Sequence, residues 1–269
     1  MSNADSSSPT PTVLVTGGAK RLGREFCLAF ARANWNVVCH FNTSETEAQT
    51  TQNMVQGLGK TCTVIQQDLS APDAHTHLLD KCAAQTGQLP QCIVNNASVF
   101  SMDDAASSSA AVLQMHFQTN TVLPLLLANA LALRAKTTEH HAKHFCVIHV
   151  LDQKVHNLNP DYFSYTVSKL ALERSVALQA QALAPSVRVC GLSPGLSYLS
   201  GDQTQANFDQ ACKINLLQRQ IQTVDIARTA VFMAENDALT GCTIQVDNGQ
   251  HLVPLARDVM FSINPQVGA

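Results

Sequence analysis

The sequence predicts an α/β fold: a single domain built on a doubly wound, seven-stranded parallel sheet flanked by helices. Short β-branched runs alternate with longer stretches whose apolar residues recur at three- and four-residue spacing, the pattern of successive strand–helix–strand units. The first run enters a glycine-rich turn that opens directly into a helical pattern. After residue 11 no repeat, linker or low-complexity block divides the 269 residues, a length that one continuous sheet of this class can fill.

Seven strands are predicted, at residues 12–16, 36–41, 61–66, 91–95, 144–151, 186–192 and 242–247. Helices are predicted near 21–33, 44–58, 72–85, 110–134, 163–182 and 224–235. Residues 1–11, rich in Ser, Pro and Thr, read as a short disordered tail with neither a basic start nor an apolar core for a targeting segment. Residues 101–111 read as a loop. Residues 196–223, the least regular part, follow the sixth strand's carboxyl end, where open α/β sheets place ligands, and are predicted to cover a substrate. The domain proper spans residues 12–252, and 253–269 form an apolar tail.

Composition excludes several classes. The chain is 45% hydrophobic and 14% charged with a net charge of −3, so a folded core is affordable and disorder is not indicated. Its Lys and Arg residues form no basic run, which argues against a nucleic-acid partner. The longest apolar stretch, residues 122–133, is too short to span a bilayer and is interrupted by Pro124 and Asn129. Nine cysteines form no C-x-x-C pair, and they read as small core residues of a reduced, cytoplasmic protein. The histidines at 140, 141 and 144, and at 75 and 77, have spacings open to metal ligation but no accompanying carboxylate or cysteine set. Surface histidines are the better account, and no metal is expected.

The first turn, Thr16-Gly17-Gly18-Ala19-Lys20-Arg21-Leu22-Gly23, is suited to pointing backbone N–H groups and a positive helix end at a phosphate. The second strand ends in Cys39-His40-Phe41-Asn42-Thr43-Ser44, without the acidic residue that would bind a ribose 2′-hydroxyl. Lys20 and Arg21, with His40, Asn42, Thr43 and Ser44 as hydrogen-bonding neighbours, accommodate a 2′-phosphate instead, which favours NADPH. Ser44 is also a candidate helix N-cap. Asp68-Leu69 and Asn96-Ala97-Ser98 end the third and fourth strands on the same rim.

The fifth strand ends at Asp152, and thirteen residues later Tyr165 and Lys169 stand at i and i+4, on one helix face. An ammonium beside a phenol lowers its pKa from about 10, as proton transfer near neutral pH requires.

Together these residues resemble the short-chain dehydrogenases/reductases over about residues 12–252. The carriers are Thr16-Gly17 to Gly23, Asp68, Asn95-Asn96-Ala97, Asn120, Tyr165 and Lys169, Pro194-Gly195 and Val246-Asp247-Asn248-Gly249. The resemblance implies a dinucleotide-binding Rossmann fold and a homotetramer, with the tail at an interface or near a neighbouring active site. It implies Tyr165 as acid, Lys169 on the nicotinamide ribose, Asn120 in a water-linked relay, and Pro194, Gly195 and Leu196 beside the cofactor.

Two departures narrow the branch: Arg21 replaces the middle glycine of the turn, and Asp152 replaces the usual catalytic serine. With Asn95-Asn96-Ala97-Ser98-Val99-Phe100, they resemble the pteridine reductases and the related dihydromonapterin or dihydrofolate reductases. That likeness implies that Arg21 and Ser98 contact a pterin and Phe100 stacks on it. A carboxylate at 152 repels a ketone oxygen but accepts from the N–H donors of a 2-amino-4-oxopteridine. The reading is NADPH-dependent reduction of a dihydropterin or dihydrofolate. The alternatives are a short-chain carbonyl reductase acting on a 3-oxoacyl or quinone substrate, and a non-catalytic NADP-binding sensor.

Overall fold

The computed structural model describes residues 10–136, 145–201 and 203–263. Seven strands form one parallel sheet: β1 (Thr12–Val15), β2 (Asn36–Phe41), β3 (Cys62–Gln66), β4 (Cys92–Asn95), β5 (Phe145–Val150), β6 (Val187–Pro194) and β7 (Thr243–Val246), in the order β3-β2-β1-β4-β5-β6-β7. The helices are α1 (Arg21–Arg32), α2 (Glu45–Gly57), α3 (Ala74–Thr86), α4 (Ala110–Phe117), α5 (Leu123–Ala135), α6 (Phe163–Leu183), α7 (Gln205–Ala211), α8 (Thr223–Glu235) and α9 (Val259–Ile263).

The inner strands β1, β4, β5 and β6 are buried along their whole length because both faces of the sheet are covered. In β1, Val13 and Val15 point into a cluster with Phe26 and Phe30 of α1 and Ile226, Ala230 and Met233 of α8. Leu14, with the opposite period-2 phase, packs with Leu78 and Leu79 of α3 and Leu127 and Leu131 of α5. Such side chains are fully buried, and truncating one to Ala costs about 2–5 kcal/mol. The cysteines follow this logic: all nine are free, eight are buried and Cys242 is partly so.

The predicted elements are all present, with ends displaced by a residue or two. One helix is divided. The predicted 110–134 segment is α4 and α5 joined by a π-helical turn, Gln118–Val122. Ser44 occupies the N-cap position of α2, but its side chain makes no capping hydrogen bond. The predicted covering segment contains α7, and the tail contains α9. The tail's described part does not extend outward. Val259, Met260 and Phe261 are buried, and Met260 and Phe261 pack with Tyr162 and Tyr165, an aromatic wall for two adjacent apolar side chains. The histidines at 140, 141 and 144, residues 1–9 and residues 264–269 lie outside the described residues.

Candidate active site

Strand order reverses direction between β1 and β4, and a cleft opens at the carboxyl ends of these strands, as expected for this architecture. The turn after β1 is held from β4. Asn96 donates its side-chain amide to Thr16 O and Gly17 O, at 3.0 and 3.2 Å, and the Thr16 hydroxyl accepts from the N–H groups of Asn96 and Ala97. Gly17 has φ +63°. Gly23 lets α1 approach so closely that a Cβ there would lie 2.0 Å from Gly17 O. The first-turn N–H groups of α1, which have no partner inside the helix, then face the cleft.

His40 is corrected by the structure. Its Nδ1 accepts from Gly17 N–H at 3.1 Å and its Nε2 lies 2.9 Å from Gln67 O, so the ring is a neutral Nε2–H tautomer with both nitrogens engaged. Burial lowers its pKa to about 4. It locks the phosphate turn to β2 and β3 and has no proton to offer a phosphate. By the same contact, the Gly17 N–H is spent inside the protein, so Gly17 shapes the turn rather than donating to a ligand.

The cleft has a volume of about 860 Å³ and runs from this turn to the end of β5. Every candidate residue except Thr43, Ser44 and Asn120 lines it. Lys20, Leu22, His40, Asn42, Asp68 and Leu69 stand at one end; Ala97, Pro194, Gly195 and Leu196 lie along it, and Phe100, Asp152, Tyr165 and Lys169 stand at the other. Asp68 accepts from the Ser70 N–H and hydroxyl, which hold its carboxyl below the usual range. Arg21 adopts a left-handed backbone, φ +51°, the conformation in which glycine costs least. Its guanidinium donates to Leu199 O at 2.6 Å and stacks over Tyr198, tying the phosphate turn to the loop after β6.

At the far end the Tyr165 hydroxyl donates to Asp152 Oδ2 at 2.9 Å, and Asp152 Oδ1 accepts from Lys154 N–H at 2.8 Å. The Ser193 hydroxyl fixes the Asp152 backbone carbonyl. Lys169 Nζ donates to Val150 O at 2.7 Å and lies 5.8 Å from the Tyr165 ring centre. The expected lowering of the Tyr165 pKa is therefore reversed. Burial, and then the carboxylate bonded to its hydroxyl, push Tyr165 well above its ordinary value. Burial likewise raises Asp152 and brings Lys169 down to about 8. The pair keeps the phenol protonated, which is the state a proton donor needs.

Asn120 stands behind the cleft. Its side chain accepts from Val99 N–H and the Ser98 hydroxyl and donates to Val99 O and Ser168 Oγ. The π-helical turn places it there, and its amide fixes the strand end that carries Ser98 and Phe100. Phe100 stacks on Tyr162 at 4.2 Å and meets Tyr165 edge-on at 4.7 Å. Tyr162, Lys154, Tyr198, Asp258 and Met260 also line the cleft and were not singled out in the sequence. Tyr162 was the most accessible of these, as an aromatic residue three positions ahead of Tyr165. Among the described residues no group of three or more His, Cys, Asp or Glu could hold a metal ion, and no helix is long and apolar enough to cross a membrane.

The profile of the enoyl-(acyl carrier protein) reductase family matches residues 17–251. Pteridine reductase 1 of Leishmania tarentolae is 30% identical over 287 residues, covering 91% of this chain and 98% of that protein. Dihydromonapterin reductase of Escherichia coli K12 is 26% identical over 247 residues, with coverages of 91% and 98%. FolM alternative dihydrofolate reductase 1 of Brucella canis, solved in complex with NADP, superimposes with a TM-score of 0.83 at 34% identity, covering 90% of this chain and 94% of that one. Its counterpart from Brucella suis, also with NADP, gives 0.84 at 34% identity, with coverages of 91% and 96%. The chain belongs to the short-chain dehydrogenase/reductase family, as a NAD(P)-dependent oxidoreductase related to the pteridine, dihydromonapterin and FolM reductases.

Proposed function

We propose that the protein reduces the ring of a dihydropterin or dihydrofolate with NADPH, using Tyr165 as proton donor. The observation that carries this reading is the Asp152 carboxyl hydrogen-bonded to the Tyr165 hydroxyl at 2.9 Å on the cleft wall. A ketone oxygen brought to Tyr165 meets that carboxylate at short range and is repelled. A 2-amino-4-oxopteridine instead offers N–H donors to it.

The cleft's residues fit a dinucleotide. Gly17 and Gly23 leave the turn open to a phosphate, and Lys20 and Arg21 supply positive charge there. Asn42, rather than a carboxylate, stands at the end of β2, which supports a 2′-phosphate. The cofactor of the Brucella proteins, NADP, is the one expected here. NADPH, when bound, supplies the hydride to a carbon of the ring C=N bond. Tyr165 gives its hydroxyl proton to the adjacent nitrogen and recovers one through Asp152, whose raised pKa lets it hold a proton. Lys169 is placed for the nicotinamide ribose, Ser98 and Arg21 for the polar edge of the pterin, and Phe100 for its face. Asn120, with no side-chain access to the cleft, holds Ser98 and Phe100 in place. We also expect a cytoplasmic location and a homotetramer; the exposed Leu126 and Leu133 of α5 and Leu178 of α6 support association of subunits.

The test is NADPH oxidation with dihydrobiopterin, dihydromonapterin, dihydrofolate and a simple diketone in parallel. Turnover of a pterin or folate is expected. Brisk diketone reduction with none of the other three turned over rejects the reading.

A further inference from the structure

We infer that Asp258 is a positioning residue for the proton chemistry: its carboxylate offsets the Lys154 ammonium beside Asp152 and so leaves the Asp152 carboxyl able to keep a proton for Tyr165. The inference deepens the role proposed for Asp152 above and rests on it.

The Asp152 carboxyl has two contacts on the cleft wall. Its Oδ2 accepts from the Tyr165 hydroxyl at 2.9 Å, and its Oδ1 accepts from the Lys154 backbone N–H at 2.8 Å. The second contact brings the Lys154 side chain, only 3% exposed, into the same corner of the cleft. Its Nζ donates to Asn159 Oδ1 at 2.6 Å and to Asp258 Oδ2 at 3.0 Å, and lies 5.6 Å from the Tyr162 ring centre. Neither of those hydrogen bonds goes to Asp152. Asp258 comes from beyond residue 251, where the family match ends. It is fixed from outside the cleft: its backbone N–H donates to Asp161 at 2.6 Å, and Asp161 is held in turn by a two-pronged ion pair with Arg257.

A cation near a buried carboxyl favours the ionised form, because little solvent screens the attraction. With Lys154 unpaired in this corner, Asp152 would give up the proton it is meant to store. A carboxylate set directly on the ammonium cancels most of that field. The balance of influences on Asp152 agrees: burial raises it, the Lys154 N–H, the Lys154 ammonium and the Tyr165 hydroxyl lower it, and Asp258 raises it. Behind burial and Asp152 itself, Asp258 also raises Tyr165.

The other groups around the corner do not supply this offset. Lys169, facing Asp152 from α6, is bonded to the neutral Val150 carbonyl, and burial brings it down to about 8. While charged it too favours the carboxylate, which makes cancellation of the second cation matter more. His149 of β5 is neutral, its pKa lowered by burial to about 4. Ser193 of β6 donates to the Asp152 backbone carbonyl and leaves the carboxyl alone. Asp161 is paired with Arg257, so Asp258 is the carboxylate that meets Lys154 directly.

The backbone of Lys154 holds the Asp152 carboxyl, so Lys154→Met and Asp258→Asn alter charge and leave that contact in place. Asn at 258 also keeps an acceptor for Nζ. Infrared difference spectra of the full-length chain, taken across a pH titration, follow the C=O stretch of a protonated carboxyl, assigned to Asp152 by its loss in Asp152→Asn. In wild type the band should persist at least about one pH unit above the ordinary aspartate value of about 3.9. Its midpoint should fall by about one pH unit in Asp258→Asn, rise by about one in Lys154→Met, and return to within about 0.3 of wild type in the double variant. The alkaline limb of the pH–rate profile with a dihydropterin should move in the same sense. A purely structural anchor would lower the melting temperature or kcat without opposite shifts in the two single variants. A wild-type midpoint at the ordinary aspartate value, an unmoved midpoint in either single variant, shifts of the same sign in both, or no return in the double variant overturns the inference. The band is read without substrate. Failure of the pterin reading shows separately, as turnover of a diketone but of no pterin or folate.

Discussion

Replacing Asp152 separates a pterin site from a carbonyl site more sharply than any other single change. Its Oδ2 accepts the Tyr165 hydroxyl at 2.9 Å, in a setting where burial raises both groups. A hydrogen bond to a charged partner is worth about 1.5–3 kcal/mol. At about 1.4 kcal/mol per decade, losing it lowers kcat/KM by about 10- to 150-fold, before the loss of an acceptor for the ring's N–H groups is counted. Asp152→Ser is therefore expected to reduce dihydropterin turnover by about 100-fold or more, while diketone turnover stays level or rises. Asp152→Asn keeps the shape and removes the charge, and the sign of its pH effect is fixed. Tyr165 must be protonated to act, and the carboxylate raises its pKa, so removing the charge moves the alkaline limb of the pH–rate profile to lower pH. The assay is NADPH oxidation with both substrates from about pH 7 to about pH 11, so that it reaches the range where tyrosine titrates. Undiminished dihydropterin turnover in the serine variant refutes the role given to Asp152.

Three further outcomes are expected. Tyr165→Phe should lower kcat by about 10²- to 10⁴-fold and leave NADPH binding, measured by fluorescence titration, essentially unchanged; a large loss of cofactor affinity would make Tyr165 a binding residue instead. Gly23→Ala sets a methyl 2.0 Å from Gly17 O, so the turn must move; the NADPH dissociation constant should rise by about ten-fold or more, and an unchanged value counts against phosphate binding at this turn. His40 and His149 are buried neutral with pKa values near 4, against 6.5 ordinarily. Between those values the unfolded chain binds protons that the fold does not, so stability present above pH 6.5 drains as pH falls. By pH 5 the loss is about 2 kcal/mol for each, visible as a lower urea midpoint than at pH 7. Equal midpoints would mean that neither ring's pKa is depressed in the fold.

Regular elements were legible in the sequence because their periodicity is long and consistent, as in the apolar strands β1, β4 and β5 and the amphipathic α1. The glycine turn and the Tyr165–Lys169 pair were legible because local geometry fixes them, through a tight approach in one case and a shared helix face in the other. The π-helical turn was not, since nothing in the composition of residues 118–122 distinguishes it from α-helix. Its effect, placing Asn120 beneath Val99, depends on α6 and β4 packing from either side. The short helices α7 and α9 contain too few turns for a periodic signal, and the course of the tail depends on Asp161 and Tyr162, nearly a hundred residues earlier.

The two chemical corrections share one physical origin. Sequence reveals which polar groups are available at a strand end, whereas the fold decides which partner reaches each of them first. At position 40 the first partner is the turn itself: strand register brings Gly17 and Gln67 to the two ring nitrogens, and a potential phosphate ligand becomes a structural pin. At Tyr165 two oppositely charged partners compete. The one bonded to the hydroxyl, Asp152, prevails over the one that sits beside the ring and spends a proton on Val150 O. Burial raises the phenol first, and the carboxylate in direct contact with the hydroxyl then outweighs an opposite charge of equal size at longer range. A buried tyrosine whose hydroxyl faced no carboxylate would depend on a nearby ammonium to ease its deprotonation. Paired with a carboxyl whose own pKa is raised, it stays loaded and can be reloaded from that carboxyl. This arrangement suits protonation of a ring nitrogen beside the site of hydride addition, and it makes the serine-to-aspartate exchange a change of chemistry as well as of fit.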